Sequence, residues 1–151
     1  MENEDIVEIL LVEHDAAEAE LILHTLAKIH LDKHVHVAGD GENALDFLFS
    51  RGSYGTRPFN RFLRMVLLDL ELPKIGGLEV LIEMKGDPRT ATIPVIVLTG
   101  SNNEADAGRA YALGANSSVQ RSTNFKEYGD NIQQLTKYWM FLNYLPPNRP
   151  K

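Results

Sequence analysis

A chain of 151 residues with 44% hydrophobic and 24% charged side chains has ordinary globular composition and room for one core. A net charge of −6 lacks the electrostatic footprint of a nucleic-acid binder, and the absence of cysteine excludes disulfides, thiolate chemistry and Cys-ligated zinc. The acidic start MENEDIVEILLVE is unlike a signal peptide and apolar runs such as MVLL are too short to span a bilayer, so a cytoplasmic protein off the membrane is expected.

Residues 6–12 (IVEILLV) are β-branched and almost all apolar, the pattern of a central strand covered on both faces. Asp15 reads as a helix N-cap with Glu18 as its capping-box partner, and the helix runs to about Ile29. A short strand at 35–38 is followed by a helix over 42–49 and a Gly/Pro-punctuated loop, RGSYGTRPFN. A third strand covers 65–69, and the turn LPKIGG leads to a helix over 78–85 that stops at Asp87-Pro88. A fourth strand at 93–98 precedes a helix over 103–113 closed by Gly114, and a fifth strand is expected at 117–120. A long last helix runs from Phe125 to about Asn143, with one domain over 1–145 and a tail at 146–151. On that helix Tyr128, Ile132, Leu135, Trp139 and Leu142 share a core stripe, and Gln134, Tyr138, Phe141 and Leu145 form a flanking one.

Five apolar strands alternating with helices imply a doubly wound parallel α/β sheet, whose ligands bind at the carboxyl ends of the strands. Those ends present Glu13 and His14, then Asp69, then Thr99, with Arg121 just after the fifth. Acids, a hydroxyl and a guanidinium on one edge suit phosphoryl transfer. No glycine-rich phosphate loop follows the first strand, which argues against a nucleotide- or flavin-dependent enzyme. His34 and His36 would share a face of the second strand, but no carboxylate completes a metal site, and solvated histidines are expected.

LLVEHDAAEAELI, VLLDLELPKIGGLEVL and IPVIVLTGSNNEADAGRAYALGAN, with the approach to QRS, resemble the receiver domain of two-component response regulators. ALDFLFSRGSYGTRP and the aromatic last helix are most similar to small single-domain regulators partnered with bacteriophytochrome histidine kinases. The resemblance implies a flavodoxin-like fold and a non-enzymatic role receiving phosphate from a histidine kinase. It places Asp69 at the phosphoacceptor position and Thr99 at the switch hydroxyl, with Arg121 at the phosphate-contacting basic position that is usually lysine. It implies Mg²⁺ held by Glu13, Asp69 and the backbone carbonyl of Glu71. The flanking stripe reads either as a broader core face or as a homodimer seam using Tyr138, Phe141 and Leu145, and the resemblance supports the seam. Three positions depart from the family pattern. His14 replaces a direct Mg²⁺ ligand, which weakens the metal or makes it dispensable because Mg²⁺ wants oxygen donors; a protonated His14 partly stands in for it. Arg121 either grips phosphate or pairs with Asp69 and occupies the site. Ser118 replaces the switch aromatic. These departures keep a second function open, a pseudo-receiver that dimerises or docks without phosphorylation.

Overall fold

The computed structural model describes residues 6–58, 62–100 and 104–146; the expected tail therefore lies outside the described residues except for Pro146. The strands are β1 (Ile9–Val12), β2 (Val35–Ala38), β3 (Met65–Asp69), β4 (Val95–Thr99) and β5 (Ser117–Gln120). They form one parallel sheet, as the alternation of strands and helices implied, in the order β2-β1-β3-β4-β5, the flavodoxin-like order that the family resemblance implied. The order reverses between β1 and β3, so their carboxyl ends flank the crevice where a doubly wound sheet binds ligands.

Side-chain alternation explains the unbroken apolar runs. Leu10, Val12, Val66, Leu68, Val95 and Val97 point into one core layer; Ile9, Leu11, Met65, Leu67, Ile96 and Leu98 point into the other. The first layer is covered by α2 (Gly41–Leu48), α3 (Gly77–Gly86) and α4 (Glu104–Ala112); the second by α1 (Ala16–Ala27) and α5 (Phe125–Lys137). Each strand residue of β1, β3 and β4 is thus buried whichever way it points.

The elements differ from expectation mainly at their ends. β1 begins at Ile9, and Ile6 is half exposed. α1 ends at Ala27, and the chain turns through His30 at φ 62°. Gly114 takes φ 106°, the left-handed conformation expected just past α4. The 50–58 loop is not free: a short 3₁₀ turn, Gly52–Tyr54, lets the Tyr54 hydroxyl donate to Asn43 and accept from His36 Nε2. His36 stacks on Phe47, and the Arg57 guanidinium lies 3.7 Å from the centroid of the same ring. His36 is therefore a packing residue rather than a solvated one. His34 sits in a separate 3₁₀ turn, Asp32–His34, against the Ile6 carbonyl, so the two histidines share no strand face.

The last helix departs most. After Lys137 the chain makes a π-helical turn, Tyr138–Leu142, with five residues where an α-turn uses fewer. Tyr128 and Ile132 are buried, and Leu135 and Trp139 pack on the same core as expected. The π-turn then advances the phase, so Met140 is buried and Leu142 is 70% exposed. Leu142 is thus corrected from the core stripe to the surface.

Candidate functional site

Asp69 ends β3 and Glu13 follows β1; both carboxylates are fully buried at the carboxyl edge of the sheet. A close backbone approach shapes the Asp69 turn. A Cβ on Gly77 would come within 2.5 Å of the Asp69 carbonyl oxygen and 2.6 Å of Leu70 Cα, so only glycine lets α3 start there. The Glu71 N–H donates to Asp69 Oδ1 at 2.9 Å and fixes the carboxylate's orientation.

Arg121 follows β5, its backbone N–H donating to the Thr99 carbonyl at 2.9 Å. From there its side chain reaches across the sheet edge. Nη2 lies 2.8 Å from Asp69 Oδ1 and 3.0 Å from Glu13 Oε2, and Nε lies 2.8 Å from both oxygens of Glu18. Burial works against this charge, but the hydrogen bond and attraction of Asp69, with Glu18 and Glu13, outweigh it and raise the guanidinium pKa above its ordinary value. Burial pushes the Glu13 carboxyl up to about 8; the Asp15 N–H opposes this, while Asp69 and Glu18 reinforce it.

His14 Nδ1 lies 3.0 Å from Asp69 Oδ2 and 3.5 Å from Glu13 Oε1, with its ring 45% exposed at the mouth. The Nδ1–H donates, because an ionised carboxylate only accepts. One ligand atom each from Glu13, His14 and Asp69 lie within 4.8 Å of one another. Glu71 lines the same cleft, a space of about 680 Å³ that also takes in His14, Glu18, Asp69, Arg121 and Tyr128.

Asp15 caps α1 as expected, accepting from the Ala17 and Glu18 N–H groups. The reciprocal half of the capping box is not made by Glu18: the Asp15 N–H donates to Glu13 Oε1, and Glu18 turns to Arg121. Sequence spacing offered Glu18 a complete local role, so nothing in it signalled a pairing across 103 positions. Thr99 is buried, and its hydroxyl makes a long 3.4 Å contact with the Val119 carbonyl. Thr99 and Ser118 line a second cleft, between α4 and β5, with Glu104 and Gln120. Tyr128 is also new to the site: its ring is buried and its hydroxyl has no hydrogen-bond partner among the described residues. Tyr138 and Phe141 are 46% and 63% exposed beside Leu142 and Tyr144, and Leu145 is half-buried.

The response regulator receiver domain family matches residues 9–133 of the chain. Among curated relatives, response regulator Rcp1 of Synechocystis sp. is 37% identical over 138 residues, 91% of this chain and 92% of that protein. The probable methanogenesis regulatory protein FilR2 of Methanothrix harundinacea is 37% identical over 147 residues, 97% of this chain and 92% of that protein. Among solved structures, the Mn²⁺-bound form of Rcp1 superposes with a TM-score of 0.83 at 36% identity, covering 93% of this chain and 99% of that one. The phosphorylated cyanobacterial phytochrome response regulator RcpA superposes with a TM-score of 0.83 at 34% identity, covering 93% and 98%. The bacteriophytochrome response regulator AtBRR does so at 0.72 with 43% identity, covering 93% and 100%.

Proposed function

Because the chain belongs to the response regulator receiver domain family, we propose that it takes a phosphoryl group from a histidine kinase onto Asp69 and signals by protein contact. The observation that carries the assignment is the buried Asp69 carboxylate at the end of β3, oriented by the Glu71 N–H, with Arg121 on one oxygen and His14 on the other. In this reading Asp69 Oδ2 attacks phosphorus. The new O–P bond forms as the P–N bond to the kinase histidine breaks, and the departing imidazole nitrogen keeps the electron pair. Arg121 Nη1 has no partner among the described residues and is free to meet a phosphoryl oxygen. Thr99 contacts the same group once its weak bond to Val119 is given up. A bacteriophytochrome kinase is the favoured donor, on similarity to the phytochrome regulators RcpA and AtBRR.

The family's metal fits this site poorly. Mg²⁺ wants oxygen ligands in near-octahedral array. Here a ring nitrogen stands at the second-acid position, and Arg121 Nη2 lies between the carboxylates of Glu13 and Asp69. Glu13, Asp69 and the Glu71 carbonyl remain the only oxygen ligands that the family pattern offers. No step is therefore routed through a metal.

The exposed Tyr138 and Phe141, with half-buried Leu145 following in the chain, support a homodimer through the last helix. The pseudo-receiver is the second reading, and the ion pair of Arg121 with Asp69 is what favours it. The deciding experiment is intact-protein mass after incubation with a phosphorylated histidine kinase, beside Asp69→Asn. A base-labile phosphoryl adduct absent from Asp69→Asn is the expected result, and its absence from both proteins selects the pseudo-receiver.

A further inference from the structure

We propose that Arg121 is the resident cation of this site, filling the place of a divalent ion, so that the protein excludes Mg²⁺ and Mn²⁺ and accepts phosphate without them. The catalytic half of this rests on Asp69 being the phosphoacceptor.

Asp69 Oδ1 accepts from the Glu71 N–H and is ion-paired with Arg121 Nη2 at 2.8 Å, and Oδ2 faces His14 Nδ1. Glu13 Oε1 accepts from the Asp15 N–H, and Oε2 accepts from Arg121 Nη2. The carboxylate oxygens that a metal would use are therefore directed at N–H donors. An entering ion has to displace a guanidinium that is itself only 18% exposed in its side chain. What holds that guanidinium is Glu18, which receives Nε on both oxygens from the first turn of α1. Glu18 is thus a positioning residue: it touches neither Asp69 nor the phosphoryl group, but fixes the group that does. Arginine suits the task because its charge does not titrate away and its fork meets Glu13, Glu18 and Asp69 at once. The donor left over is also the wrong kind for magnesium, since His14 offers nitrogen where Mg²⁺ wants oxygen.

The chemistry needs charge neutralised as the phosphoryl group transfers, not a metal as such. With phosphoramidate as donor, the P–N bond breaks, ammonia leaves with a proton from solvent, and the Asp69 O–P bond forms. Arg121 supplies the positive charge throughout.

Two measurements on the full chain test this. The first is Mn²⁺ binding, read from the free-ion electron paramagnetic resonance signal, in the wild type, Asp69→Asn, Arg121→Ala and Arg121→Lys. No binding by the wild type is expected, with affinity rising at least about tenfold once Arg121 is shortened. Lysine serves as the second variant should the alanine protein fail to fold. Wild-type binding that Asp69→Asn abolishes overturns the proposal, whatever the phosphorylation result. The second is intact mass after phosphoramidate treatment in EDTA or in Mg²⁺. An Asp69-dependent adduct of equal yield in both is expected. An adduct only with Mg²⁺ overturns the proposal and leaves Asp69 as phosphoacceptor. No Mn²⁺ binding and no adduct in either buffer upholds the exclusion of metal but overturns phosphoryl acceptance by Asp69.

Discussion

Glu18 and Arg121 lie 103 positions apart, yet Arg121 Nε sits 2.8 Å from both carboxylate oxygens of Glu18. The contact ties the first turn of α1 to the segment after β5 and fixes where the guanidinium lies relative to Asp69. Glu18→Gln keeps the shape and removes the charge. It is expected to lower unfolding free energy by about 1.5–3 kcal/mol, the range for a charged hydrogen bond. Urea denaturation measures it. A double-mutant cycle with Arg121→Gln should return a coupling well above zero, and a null coupling would mean the pair is only a neighbourly contact.

Glu13 makes stability depend on pH. Its folded pKa is raised from 4.5 to about 8, so between those values the folded state holds a proton that the unfolded state has released. The unfolded chain then binds fewer protons, and stability falls as pH rises through that window. The wild type should lose stability between pH 5 and pH 8, up to about 3–5 kcal/mol if this group acts alone. Glu13→Gln should flatten that stretch of the curve. Denaturant midpoints taken across the window in both proteins check the sign.

Gly77→Ala probes the backbone beneath Asp69. The added methyl carbon would meet the Asp69 carbonyl at 2.5 Å, a contact that backbone must relieve by shifting. A stability loss of about 1–3 kcal/mol is expected from overpacking. A matching fall in phosphorylation rate is expected because the Glu71 N–H to Asp69 bond lies in the same turn. Gly76→Ala is the control, as nothing lies within 4 Å of a Cβ there.

Tyr138→Glu with Phe141→Glu tests the apolar patch. Both side chains are at least 46% exposed, so the substitutions should leave the folded monomer intact. Sedimentation equilibrium should show the mass halved relative to the wild type. An unchanged monomer mass in both proteins would remove the homodimer from the account.

The sheet was legible because its strands are buried on both faces. Runs such as MVLL and IPVIVL are short, rich in β-branched residues and bounded by turn residues, which marks them as strands rather than buried helix, and alternation with helical patterns pointed to a parallel sheet. Resemblance located Asp69, Thr99 and Arg121, and the structure brings Arg121 onto Asp69, one of the two arrangements open to it. The Glu18 pairing was hidden because a capping box accounted for that residue using its neighbours alone. Tyr128 sits on the core stripe by its spacing, and only the folded cleft shows that it also lines the space around Glu18 and Arg121. The end of the last helix was misread for a different reason: periodicity arguments assume one pitch, and the chain changes pitch at Tyr138.

That change of pitch makes surface chemistry a matter of chain length. Within Tyr138–Leu142, one residue's worth of backbone decides whether Met140 or Leu142 faces water. Removing a single residue there would return the turn to α-helical pitch and rotate every side chain beyond it by about 100° around the axis, altering what a partner touches while composition stays almost constant. An insertion or deletion at this point would thus re-aim the exposed end of the last helix without touching the Asp69 cleft, and an alignment that slides through it by one residue pairs side chains turned about 100° apart.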